Sequence, residues 1–275
     1  MPELPETETM ARDLDREVAG RSIERVTVHR ADVLRELGAK PLARRVRGAR
    51  ILRSWRRAKL VVLDLSTADR IVVQPRFTGA LLLDRGELPA SERRFSTVEF
   101  ELGPDLTLHY RDVRRLGTVT LMSPARWAHY ESLLGAEPLD RSFSEAYLSA
   151  LVRGSTRAIK KILMDQRRVA GIGNIYANEA LWRARVDPSR GARSLSAAET
   201  TAIHAAIRDV LAEAIASRGT TFRDFRDPAG GRGGFVERLA VYGRGGEPCR
   251  QCGSRLVETH AVDGRSTVLC IRCQR

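Results

Sequence analysis

Gly135-Ala136-Glu137-Pro138-Leu139-Asp140-Arg141-Ser142 is the stretch at which the chain changes character. Gly, Pro, Asp and Ser packed into so short a run mark a turn. Upstream, apolar residues come in short runs of strand type: Ile51 to Trp55, Leu60 to Leu65, Ile71 to Val73, Ala80 to Leu83, Thr97 to Leu102, Leu106 to Tyr110 and Val119 to Met122. Ile23, Val26 and Val28 begin the series, and Gly103-Pro104-Asp105 turns the chain between two of its members. Helical patterning on this side is confined to three segments. Thr7 to Val18 carries Met10, Leu14 and Val18 on one face and stops at Gly20; Pro41 to Val46 and Ala125 to Leu134 are shorter. Downstream the period becomes helical, at Ser144 to Val152, Thr156 to Asp165, Ile175 to Ala184 and Ser196 to Ser217. The last opens on a capping box, Ser196 with Glu199. Many short strands and then helices predict an α+β multidomain chain. An N-terminal β-sandwich or barrel with flanking helices spans 1–134, a linker 135–142, a helical domain 143–236 and a cysteine-bearing finger 237–275.

The 275 residues carry 47 Lys+Arg against 34 Asp+Glu, a net charge of +13 and a pI near 10.5. That excess suits a polyanion, with nucleic acid ahead of an anionic membrane surface. Lysine occurs only at 40, 59, 160 and 161, so each one is worth inspecting. No apolar run approaches a membrane span and no signal-peptide pattern opens the chain. The expectation is a soluble, cytoplasmic, monomeric protein.

Met1-Pro2-Glu3-Leu4-Pro5-Glu6 supports two readings. Pro and Glu suit the first turn of a helix. Removal of Met1 would also leave Pro2 as a secondary amine with a pKa of roughly 8. Such an amine attacks an aldehyde and gives an iminium charged without any added proton. Carboxylates at Glu3 and Glu6 stand beside it, an arrangement fit for covalent catalysis.

All four cysteines lie late in the chain, as Cys249-Arg250-Gln251-Cys252 and Cys270-Ile271-Arg272-Cys273. Two such knuckles read as a tetrahedral structural Zn²⁺ site, with a disulfide pair as the weaker alternative. Four sulfurs leave the metal no open position. Between the knuckles Arg255 to Thr259 and Thr267 to Leu269 flank Asp263-Gly264, a hairpin with Arg265 at its tip. So small a finger needs its metal to fold. Its task is DNA contact or simple capping.

These pieces resemble the formamidopyrimidine-DNA glycosylase/endonuclease VIII family. The motifs are PELPE at 2–6, RRAK at 56–59, DVRRLG at 112–117, LMDQ at 163–166 with GIGNIYANEAL at 171–181, VYGR at 241–244 and the C-terminal ribbon. The resemblance covers nearly the whole chain in the family's order. It implies a β-sandwich joined to a helix-two-turn-helix domain and a zinc finger, with double-stranded DNA as the partner. It implies base-excision repair by a bifunctional glycosylase/AP lyase. Pro2 would attack the sugar with Glu3 moving protons, and β- and δ-elimination would follow. Lys59 would sit near the lesion phosphate, Asn174 and Arg265 would grip phosphates, and Arg265 would promote the second elimination. Tyr242 is a further candidate contact, with a packed tyrosine as its alternative. Phe77, Arg114 and Leu116 would fill the void left by the flipped base, although Phe77 and Leu116 read equally well as core.

The sequence departs from the family where Gln74-Pro75-Arg76-Phe77-Thr78-Gly79 stands for the common HLGMSG, and DVRRLG for DPRRFG. Phe95 replaces a frequent histidine, and a basic residue near Thr156 is shifted to Arg157. Gly219 to Gly234, rich in Gly, Arg and Asp and expected to be mobile without ligand, occupies the place of the loop that closes over 8-oxoguanine. The loop and Arg114 favour oxidised purines opposite cytosine. The alternatives are endonuclease VIII-like action on oxidised pyrimidines and a non-catalytic zinc-ribbon DNA-binding protein.

Overall fold

A computed structural model describes residues 2–275; removal of Met1 lies outside the described residues. The elements run α1 Leu4–Val18, β1 Arg25–Val28, β2 Leu34–Arg35, α2 Ala39–Val46, β3 Ile51–Arg57, β4 Leu60–Leu65, β5 Arg70–Gln74, β6 Gly79–Asp84, α3 Ala90–Arg93, β7 Ser96–Glu101, β8 Thr107–Asp112, β9 Thr118–Met122 and α4 Pro124–Ser132. There follow α5 Glu145–Arg153, α6 Ile159–Met164, α7 Asn174–Arg183, α8 Ala197–Ala216, β10 Val257–Thr259 and β11 Thr267–Leu269. Helix α1 begins earlier than the apolar period suggests. Pro5 suits a first turn, and the Glu6 carboxylate accepts the Glu3 N–H at 2.7 Å. Helix α6 is shorter than expected because residues 155–159 pair their backbone with 190–193 instead. Strand β2 and helix α3 are too short to show a period.

The chain forms two compact units. The first runs to Ser132 and takes in Ser217–Val236; the second comprises Leu133–Ala216 and Glu237–Arg275. Residues 217–236, grouped from sequence with the helices, therefore pack in the first unit.

In the first unit the sheets have strand orders β1-β7-β8-β6 and β2-β9-β5-β4-β3. Strand β4 shows why they stack. Its alternate residues Val61, Leu63 and Leu65 enter the central core with Ile71 and Val73, against Leu81, Val98, Phe100 and Leu108 of the other sheet. Leu60 and Val62 point the other way, into a cluster with Val72, Met122 and Trp127 of α4. Both faces are covered, so the strand reads as an apolar run broken only by Asp64, which pairs with Arg53 and Arg70. Met10, Leu14 and Val18 of α1 join the central core. The expected β-sandwich with flanking helices is found.

In the second unit α7 is buried over Ile175–Leu181. Val241, Leu256 and Val268 form a small core with the cysteines, and Trp182 packs against it. Strands β10 and β11 pair antiparallel, and their connection spans residues 260–266, longer than a two-residue turn. Among the described residues no helix is long and apolar enough to cross a membrane.

Back in the first unit, the loop after β5 and the loop after β8 meet over Tyr110, which is fully buried. A Cβ at Gly117 would lie 2.0 Å from the Tyr110 hydroxyl and 2.5 Å from the Gln74 carbonyl. One at Gly79 would lie 2.4 Å from the Pro75 carbonyl. Only glycine permits this approach. Gly117→Ala is expected to cost about 1–3 kcal/mol by overpacking, measured by denaturant unfolding. The cost is expected to shrink in a Tyr110→Phe background, where the nearest clashing atom is gone.

Candidate active site and nucleic-acid interface

In the first unit Pro2 and Glu3 are buried at the head of α1. Two carboxylates organise this end. Glu6 bridges: Oε2 accepts the Glu3 N–H and Oε1 accepts the Thr220 N–H, each at 2.7 Å. Glu8 takes Arg56 Nε and Arg12 Nε, each at 2.6 Å. Arg56 in turn donates to the Ala58 carbonyl at 3.1 Å. Ala58 and Lys59 form the two-residue turn between β3 and β4, with Ala58 at φ +53°. An alanine in the left-handed region costs of order 1 kcal/mol, and the Glu8–Arg56–Ala58 chain opposes its relaxation. Lys59, half-buried, is thereby fixed to the helix that carries Pro2. Burial pushes the Glu8 carboxyl up, but Arg56 and Arg12 outweigh it and hold it below the ordinary range.

The segment holding Thr220 is fastened at several points. Arg218 pairs with Asp13 of α1 and reaches Asp227 at 2.6 Å. Asp227 also accepts the Gly231 N–H at 2.7 Å. The Thr221 hydroxyl accepts the Gly233 N–H at 2.8 Å. Phe222 is 48% exposed.

Phe77 and Leu116 are 46% and 41% exposed, which rules out the core reading for both. Arg114 is exposed too, and its guanidinium lies 5.2 Å from the Phe77 ring centre. The two loops are cross-linked by Thr78 and Asp112. The Thr78 hydroxyl donates to Asp112 and accepts the Arg114 N–H at 2.9 Å, while Asp112 accepts the Gly117 N–H at 2.8 Å. Arg76 and Arg115, at φ +50° and +53°, put a strained residue in each loop. Two apolar side chains and an arginine are thus held out from the surface by rigid supports.

In the second unit Gly173 is the N-cap of α7 and Asn174 its first residue. Its Nδ2 donates to the Ser266 carbonyl at 2.9 Å. Asn178 accepts the Val268 N–H at 2.9 Å. Lys160, fully buried, donates to the Thr267 hydroxyl at 2.7 Å and to the Ser266 carbonyl at 3.2 Å, and lies 3.5 Å from Asp263. Asp263 accepts the Arg265 N–H at 3.1 Å, and the Arg265 side chain stands exposed. Buried Glu179 accepts the N–H groups of Ala240, Val241 and Tyr242 at 2.7–2.9 Å; burial raises its pKa and these donors partly offset that. Tyr242 is half-buried.

The ligand atoms of Cys249, Cys252, Cys270 and Cys273 all lie within 4.8 Å of one another, with 3.5 Å between the Cys252 and Cys270 sulfurs. Tetrahedral Zn–S bonds of about 2.3 Å would set sulfurs about 3.8 Å apart. The Ser254 hydroxyl and N–H lower the Cys252 thiol to about 6, while burial and the neighbouring thiols push Cys273 up to about 12. Four sulfurs this close can all be thiolates only around a cation. The buried Trp182 N–H lacks an oxygen or nitrogen acceptor and packs on this cluster, where a Cys249 thiolate could accept it. The donor set fits a closed structural metal site.

Family models match along the chain: the formamidopyrimidine-DNA glycosylase N-terminal domain over residues 1–119, the formamidopyrimidine-DNA glycosylase H2TH domain over 134–226, and the zinc finger found in FPG and IleRS over 246–275. This chain belongs to the formamidopyrimidine-DNA glycosylase family. A formamidopyrimidine-DNA glycosylase of Heliobacterium modesticaldum is 41% identical over 279 residues, covering 100% of both chains. Among solved structures, a variant of the Lactococcus lactis FPG protein bound to Fapy-dG-containing DNA superposes with a TM-score of 0.92 at 30% identity, covering 100% of each chain. The MutM (FPG) protein of Thermus thermophilus gives 0.87 at 36%, covering 99% of this chain and 98% of that one.

The site residues expected of a formamidopyrimidine-DNA glycosylase gather in two groups. Pro2, Glu3, Lys59, Phe77, Arg114 and Leu116 lie in the first unit; Asn174, Tyr242, Arg265 and the cysteines lie in the second. Sequence reasoning gave no role to Lys160, Glu179, Asn178, Arg218 or Glu8. The rarity of lysine was a usable signal for Lys160; the others carried none.

Two outcomes follow from this geometry. Glu8 is depressed in the fold, so its contribution to stability is present above the unfolded value of about 4.3 and is lost as pH falls through the lower folded value. Unfolding below pH 5 is expected to be less pH-dependent in Glu8→Gln, monitored by circular dichroism. Cys252→Ser is expected to lose its metal, measured by mass spectrometry under non-denaturing conditions, together with strand cleavage.

Proposed function

We propose that the chain is a bifunctional DNA glycosylase/AP lyase of base-excision repair, acting on oxidised purines such as 8-oxoguanine and formamidopyrimidines in double-stranded DNA. The observation that carries this is the Glu6 bridge, which fastens the Pro2–Glu3 terminus to the segment that would cover an extruded base. Extruding the base costs a few kcal/mol. The Pro2 nitrogen, freed of Met1, attacks C1′ of the deoxyribose. The glycosidic bond breaks and the sugar opens to an iminium, with Glu3 protonating the ring oxygen. The positive nitrogen acidifies the C2′ proton, its loss expels the 3′ phosphate, and a second elimination expels the 5′ phosphate. Lys59, on its fixed turn, pairs with the lesion phosphate and assists both steps.

Phe77 and Leu116 replace the lost stacking, and Arg114 reads the partner base. In the second unit Asn174 and Arg265 bind phosphates, with Tyr242 as a further contact. Arg265 serves the second elimination. Zn²⁺ on Cys249, Cys252, Cys270 and Cys273 holds the finger folded and supplies no chemistry to the reaction. The net charge of +13 adds sequence-independent affinity, and cytoplasmic action on nucleoid DNA fits it.

Borohydride trapping on duplex bearing 8-oxoguanine tests this reading. A covalent complex is expected with processed wild type and none with Pro2→Gly, and 8-oxoguanine should be excised at least tenfold faster than thymine glycol. Absence of a complex from wild type overturns the proposal; faster thymine glycol removal moves it to oxidised pyrimidines.

A further inference from the structure

Arg111 is a buried arginine at the root of the two loops that carry Phe77 and Arg114. Its side chain is 8% exposed, on β8, on the face opposite Tyr110, which also carries buried His109 and its partner Ser96. A buried guanidinium costs several kcal/mol unless its charge and donors are matched, and methionine or leucine would fill the same volume without that cost. Three partners surround it. Nη1 donates to the Thr78 carbonyl at 3.1 Å. Nε lies 2.8 Å from Glu92 Oε2 on α3, close enough for an ion pair but out of line for a hydrogen bond. The guanidinium also lies 5.6 Å from the centre of the Phe95 ring. Strand β7 bulges here: Ser96 pairs with Arg111 and Val98 with Tyr110, leaving Thr97 as the extra residue. A bulge re-aims the side chains beside it, and this one sits where Phe95 and Arg111 meet.

Thr78 is the node of the cross-link between the loops, through its hydroxyl to Asp112 and from the Arg114 N–H. Arg111 holds the same residue by its carbonyl. It therefore sets the Thr78–Gly79 peptide, one residue on from Phe77, as well as the residue that orients Arg114. We propose that Arg111, clamped by Glu92, is a positioning residue that aims Phe77 and Arg114, and so determines how strictly the enzyme selects the base opposite the lesion. Phe95, at a position where the family often has histidine, provides the flat face on which the guanidinium rests. The pair touches neither the Pro2 terminus nor the Lys59 turn through any of these contacts.

This inference rests on Arg114 reading the partner base, and equilibrium binding tests it separately from catalysis. The probes are duplexes with a tetrahydrofuran abasic analogue opposite cytosine or adenine, and the same strand single-stranded. Wild type is expected to prefer cytosine. Arg111→Met and Glu92→Gln are each expected to reduce the cytosine-over-adenine affinity ratio about tenfold, with single-strand affinity changed less than twofold. Glu92 is half-exposed, so its variant keeps the test valid if Arg111→Met does not fold. An unchanged ratio in the folded variants, a parallel loss of single-strand binding, or a wild type indifferent to the partner base would overturn the inference. Failure of borohydride trapping would sink the catalytic reading and leave this result standing.

Discussion

A single buried carboxylate holds together the parts of the first unit on which the chemistry depends. Glu6 accepts two backbone N–H groups from opposite ends of that unit's chain, Glu3 and Thr220. Each donor belongs to a segment with little regular structure of its own, one a helix cap and the other the start of a glycine-rich loop. A buried carboxylate must satisfy its lone pairs with donors, so the two segments are fixed to one another by the cost of leaving it unmet. A Cβ at Gly219 would lie 2.9 Å from Glu6 Oε1, so the loop comes as close as its backbone allows.

The same logic recurs with arginine as the fastener. Arg56 ties the Lys59 turn to Glu8, Arg218 ties the loop base to Asp13 and Asp227, and Arg111 ties the Phe77 loop to Glu92. In the second unit Lys160 and Asn174 hold the finger loop through the Ser266 carbonyl. In the proposed reading exposed Arg114 and Arg265 meet base and phosphate, whereas the cations named above act on the protein itself. Surface ion pairs contribute little to stability, so what these contacts chiefly provide is geometry.

Much of this was legible in the residues. Strand β4 read as an apolar run because both its faces are covered, and the two cysteine knuckles announced a closed metal site. The positions of Phe77 and Leu116 were not legible, since an isolated apolar residue in a loop looks the same inside or outside a core. They are held out by Gly79, Gly117 and Tyr110, a steric arrangement that appears only when two loops distant in sequence meet. Lys160 pairs with residues about a hundred positions away, and Glu6 with one more distant still. No local period records such partners. The segment 217–236 was assigned from its neighbours in sequence, whereas its hydrogen bonds run to α1.

The central claim is that the nucleophile is the nitrogen of Pro2. Peptide mapping of the borohydride-reduced protein–DNA complex tests it most directly. After tryptic digestion the sugar remnant is expected on the fragment from Pro2 to Arg12, with its mass consistent with loss of Met1. A remnant attached at Lys59, or on a fragment that still begins with methionine, would contradict the account.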